Sequence, residues 1–102
     1  MFWVWPIIDA HAGPMPRRWH APRPFLRAVL CLHHYEGSWD SNTGNGYFGG
    51  LQFRLSTWYR AGGVGYPHLW SPREQIYRCW RIYLQDGRSF REWGTASRCN
   101  LS

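Results

Sequence analysis

Apolar residues recur in two stretches of this chain with the period of an α-helix. In the first, Phe25, Val29, Leu32 and Glu36 follow one another at spacings of four, three and four, along one face, and Leu26 and Leu30 widen the stripe. Pro24 suits a first helical turn and Gly37 a C-terminal cap, so the helix is predicted to end at Glu36. The carboxyl of Glu36 then continues the apolar face. The second helix opens at Ser71-Pro72-Arg73-Glu74, a capping box with proline at the first helical position. Ile76, Trp80, Tyr83 and Leu84 mark its inner face, and Asp86-Gly87 ends it.

Between these helices, residues 39–53 are rich in turn formers. Asn45-Gly46 is a strong hairpin signal, and Tyr47, Phe48, Leu51 and Phe53 supply β-favouring side chains around it. A short helix is expected after Ser56, stopping at Gly62-Gly63. Residues 1–20, with Pro6, Gly13, Pro14 and Pro16 and no sustained period, read as an irregular arm outside the folded unit. The predicted fold class is α+β, mainly α, one domain over residues 21–102 with a short β-hairpin or loop element.

Composition narrows the picture. A chain of 102 residues holds one domain, and a core that small is marginal without a staple. Eight Trp and six Tyr exceed what such a core can hide, so some line a binding surface. The net charge of +6 favours polyanionic partners. All twelve basic residues are Arg and none is Lys, a pattern of GC-rich coding, so the excess is not a phosphate-binding signature. No nucleic-acid-binding motif is present, and nucleic acid is not an expected partner. No run is long enough for a membrane span. The apolar start, residues 1–8, lacks preceding basic residues and is broken by Pro6, so it is a poor secretory signal and shows no export route. Cys31, Cys79 and Cys99 form no CxxC pair, which argues against zinc. One disulfide with one buried thiol is the simplest reading and implies an oxidising compartment, with three reduced thiols as the alternative.

Six acidic residues allow a search by elimination. Asp9 lies in the arm, Glu74 caps a helix, Asp86 sits at a helix end, Glu92 is flanked by Arg91, and Asp40 is in a turn. Glu36 alone combines an apolar helical face, a helix C-terminus and the aromatic neighbours Tyr35 and Trp39. Apolar surroundings and the negative helix end both penalise a carboxylate and favour the protonated acid, as a general acid requires. The plainer alternative is a Glu that merely ends an amphipathic helix. His33 and His34 point about 100° apart on a helix and cannot readily share a metal ion with Glu36. No metal or cofactor is expected. The Asn42–Gly46 segment lacks the lysine and strand-to-helix context of a phosphate-binding loop.

The run Trp39-Asp40-Ser41-Asn42-Thr43-Gly44-Asn45-Gly46-Tyr47-Phe48-Gly49-Gly50-Leu51-Gln52-Phe53, followed by Ser56-Thr57-Trp58, closely resembles the resuscitation-promoting factors and related actinobacterial transglycosylase-like domains. Arg73-Glu74-Gln75-Ile76, Trp93-Gly94 and Cys99 match the later signatures of that family, and the likeness covers about residues 24–101. The resemblance implies a compact lysozyme-like fold that cleaves the β-1,4 bond between N-acetylmuramic acid and N-acetylglucosamine. It implies a catalytic acid at Glu36 and substrate contacts at Trp39, Tyr47, Gln52, Thr57 and Trp58.

It also implies a Cys31–Cys99 disulfide, although the family places its cysteine directly before the catalytic Glu. Here Cys31 precedes Glu36 by five positions, a shift of about one helical turn that keeps the thiol on nearly the same face. The stretch from Glu36 to Trp39 is shorter than in the family, and Ala96 replaces a Trp. No second carboxylate is convincing, so a one-carboxylate route is expected, ending in a 1,6-anhydro product or in hydrolysis. The alternative is a module that binds peptidoglycan without cutting it. The implied partner is the glycan strand, met by a monomer outside the cell or in the cell wall, with a phage lysis protein as a further possibility.

Overall fold

A computed structural model describes residues 13–101, and among them helices dominate. Helix α1 spans Arg23–Glu36, α2 Leu55–Arg60 and α3 Pro72–Gln85, with 3-10 helices at Pro67–Leu69 and Gly94–Cys99. Helix α1 opens with Pro24 in its first turn, where a missing N–H costs nothing, and buries Phe25, Val29 and Leu32. It ends where the pattern predicts. Gly37 donates its N–H to the His33 carbonyl with φ near 160°, an extended cap rather than a left-handed one.

Helix α3 runs through the middle of the molecule. Ser71 caps it by accepting the Glu74 N–H at 3.1 Å. Its burial is wider than the sequence pattern predicts. Gln75, Cys79 and Ile82 are fully buried, whereas Trp80, Tyr83 and Leu84 are only partly covered. The reason is that α3 is packed on more than one side. Phe25 of α1 meets Trp80 and Tyr83 on one flank, and Trp19 meets Tyr77 on another. The Glu74 carboxylate takes the Arg78 guanidinium at 2.7 Å inside the protein, and Arg78 also donates to the carbonyls of Ala61 and Gly13. Leu32, Leu51, Phe53, Trp58 and Ile82 fill the centre of the core.

Of the short hairpin or loop expected around Asn45-Gly46, a loop forms. Two isolated bridges, Asn42 to Phe48 and Phe48 to Phe53, stand in place of paired strands. Gly44 and Gly46 take positive φ but Asn45 does not, so no type I′ turn forms at Asn45-Gly46; instead Asn45 Oδ1 accepts the Tyr47 N–H. Of the arm, residues 1–12 lie outside the described residues. Residues 13–20 do not stand apart from the fold: Trp19 packs against the core, and Arg73 donates to the Arg17 and Trp19 carbonyls.

Cys31 and Cys99 are disulfide-bonded, with Cα atoms 6.0 Å apart and a sequence separation of 68. The bond ties α1 to the final 3-10 helix. Cys79 is the free thiol, buried within α3, where burial pushes its pKa well up and keeps it protonated.

Candidate active site

Glu36 is the last residue of α1, partly buried, and its carboxyl opens into a surface groove. The groove has two adjoining hollows, of about 380 and 220 Å³, that share Tyr47, Gln52, Glu92 and Trp93. The larger hollow holds Glu36, with Asn45, Gly94 and Thr95 around it. The smaller holds Thr57, with Phe53, Arg54 and Arg91. Its larger section alone is in the size range of small-molecule sites.

Each wall has a local cause. Gln52 is held in the left-handed region at φ 49°, and its amide donates to the Gly49 carbonyl at 2.8 Å and toward the Ser41 hydroxyl at 3.3 Å. That strained backbone follows two glycines packed too tightly for any side chain. A Cβ at Gly49 would collide with the buried Gln75 amide, and one at Gly50 with the Trp39 ring and His33. Gln75 clamps the same loop, accepting the Gly50 N–H and donating to the Trp39 and Trp70 carbonyls. Trp93 is 5% exposed, and its indole N–H donates to the Leu51 carbonyl at 2.8 Å, so its ring forms a fixed piece of the groove lining. Tyr47 stays exposed, its hydroxyl accepting from Arg54. That hydrogen bond raises the already high pKa of Arg54, which is a permanent charge at the Thr57 end.

The carboxyl of Glu36 has one partner among the described residues, the Thr95 hydroxyl, which donates to Oε2 at 2.6 Å. The second acid in the groove is Glu92. Its Oε2 takes Arg60 at 3.1 Å, and Arg60 also reaches the buried carboxylate of Asp86. Asp40, by contrast, is exposed and accepts from Ser38, and it does not line either hollow.

The structure therefore brings Glu36, Tyr47, Gln52 and Thr57 together and leaves two expected contacts out. Trp58 is fully buried; its indole donates to the Val64 carbonyl, and it offers no surface to a ligand. On a helix one turn and a half long, Thr57 and Trp58 point about 100° apart, so one meets the groove and the other the core. Trp39 is stacked on His33 with ring centres 3.9 Å apart and lines neither hollow. His33 also bonds the Gly50 carbonyl through Nδ1, so both residues brace the glycine loop. Sequence reasoning missed Trp93, Thr95 and Glu92 as groove residues. The Trp93-Gly94 signature was the available signal for the first two; Glu92 was set aside because Arg91 precedes it, but its partner is Arg60.

The family model of the transglycosylase-like domain matches residues 33–96. The resuscitation-promoting factor Rpf of Micrococcus luteus is 50% identical over 62 residues, 61% of this chain and 27% of that protein. RpfC of Mycobacterium tuberculosis is 42% identical over 78 residues, 76% of this chain and 49% of that protein. A resuscitation-promoting factor of Corynebacterium glutamicum is 39% identical over 69 residues, 65% of this chain and 33% of that protein. The chain thus spans at most about half the length of these relatives. With well over half of its own length inside the family model, the chain belongs to the transglycosylase-like, resuscitation-promoting factor family.

Proposed function

We propose that this domain cleaves the β-1,4 bond between N-acetylmuramic acid and N-acetylglucosamine in bacterial cell-wall glycan, with Glu36 as the acid and then the base. The observation that carries the reading is a carboxyl at a helix end, inside a groove walled by aromatic rings and amides, with one oxygen held by a hydroxyl. Aromatic faces suit the apolar faces of sugar rings, and the Gln52 amide suits acetamido groups.

The route needs one carboxyl. Glu36 gives its proton to the glycosidic oxygen as the bond to C1 breaks. The carbonyl oxygen of the substrate's own N-acetyl group stabilises the cation developing at C1. The Glu36 carboxylate then takes a proton from the 6-hydroxyl of the same sugar, closing a 1,6-anhydro ring, or from water, giving a reducing end. Most glycosidases use two carboxylates. Here Glu92 is committed to Arg60 through one oxygen, and we assign its other oxygen to hydrogen bonding with the sugar. Arg54 and Arg91 at the far end of the groove suit anionic groups carried by wall polymer. The site of action that follows is outside the cell, in the wall.

Purified peptidoglycan tests the reading. Release of soluble muropeptides supports cleavage, and mass spectrometry of their ends separates the anhydro product from the hydrolytic one. Retention of the protein on the wall without any release would contradict it and leave a binding module.

A further inference from the structure

We infer that Thr95 is a positioning residue that decides which oxygen of Glu36 carries the reacting proton. The inference rests on the reading of Glu36 as the acid. Thr95 Oγ1 lies 2.6 Å from Glu36 Oε2, at the short end of the range for O–H···O bonds. A hydroxyl that donates to Oε2 occupies that oxygen, so a proton on the neutral acid sits on Oε1. Oε1 is then the oxygen free to meet the glycosidic oxygen. After transfer the carboxylate keeps the same partner on Oε2, and Oε1 is again the oxygen that receives a proton. One hydrogen bond thus serves both halves of the reaction without reorganising.

The placement of Thr95 is not that of a mobile surface residue. It is the second residue of the 3-10 helix Gly94–Cys99, which follows Trp93, itself anchored to Leu51. The far end of that helix is bonded to α1 through Cys31–Cys99. The donor and the acceptor therefore stand on two elements joined covalently, and both line the larger hollow. Without that hydrogen bond, the Glu36 carboxyl has no polar partner among the described residues to fix its side-chain torsions. Small misplacements of a reacting group are costly in rate. Thr57 lies in the other hollow and cannot substitute.

The test compares Thr95→Val, which keeps the shape and removes the hydroxyl, with Thr95→Ser, which restores it, on soluble glycan strands. Expected for Thr95→Val is a kcat lower by roughly 10- to 100-fold with KM within about 2-fold, and for Thr95→Ser a return to within about 3-fold of the parent. Urea unfolding confirms that the variants are folded, and Thr95→Ala takes the place of Thr95→Val if the latter is not. A folded valine or alanine variant with parental kcat overturns the inference, as does a folded serine variant that stays as slow as the valine one. Glu36→Gln is run alongside. If it retains parental kcat, the underlying reading of Glu36 fails; if it is inactive while Thr95→Val is unimpaired, only the role of Thr95 fails.

Discussion

Two carboxyls share the groove, and their different partners separate their roles. Glu36 has a neutral hydroxyl as partner, whereas Glu92 has a guanidinium. The ion pair engages Glu92 through one oxygen and leaves the other to accept hydrogen bonds, so Glu92 suits binding rather than proton delivery. Glu92→Gln is therefore expected to raise KM by roughly 5- to 10-fold and leave kcat within about 3-fold, because a charged acceptor becomes a neutral one. Steady-state kinetics on soluble glycan checks this, and a loss of more than about 100-fold in kcat would point to a two-carboxylate mechanism. Its effect on stability is expected to stay below about 1 kcal/mol, since the Arg60–Glu92 pair is partly exposed. At this scale the sequence was informative about Glu36, because apolar spacing, a helix end and aromatic neighbours converge there. It offered Arg91 as the neighbour of Glu92, whereas the partner, Arg60, lies 32 residues away and is brought close only by folding.

The helices were legible because their signals are local. Pro24 and Gly37 bound α1, and Ser71 and Asp86 bound α3, through capping and turn chemistry that does not depend on the rest of the fold. The inner face of α3 was less legible, because which sides are covered depends on where Trp19 and α1 come to rest. The sequence also assigned Glu74 wholly to capping, while its side chain joins a buried ion pair with Arg78. Glu74→Gln leaves that guanidinium buried without its counter-charge, although two carbonyls still accept from it. A loss of about 3 kcal/mol is expected, read as a lower urea midpoint at unchanged m-value. A loss under about 0.5 kcal/mol would show that the carbonyls suffice. Of the hairpin or loop that the sequence left open, the loop forms because its glycines are clamped from outside. Gln75, His33 and Trp39 fix Gly49 and Gly50, and the turn at Asn45 adapts to them.

Across the whole molecule, the disulfide joins the helix that carries Glu36 to the segment that carries Thr95. It closes a loop of 68 residues, worth roughly 4 kcal/mol in the chain-entropy account. For a domain this small that is a large share of total stability. Reduction, or replacement of Cys31 and Cys99 together by serine, is expected to lower stability by about that amount in urea titration. Cys79 supplies no alternative pairing, being fully buried and protonated. The pairing itself was not legible from the cysteine count; it came from the family likeness. The most direct test of the whole account is the rate at which Glu36→Gln cleaves soluble glycan strands at saturating substrate. Glutamine keeps the shape and the bond to Thr95 but has no proton to give, so the rate should fall by roughly 100- to 10,000-fold with KM little changed. A rate within a few-fold of the parent would contradict the assignment of Glu36 as the proton donor.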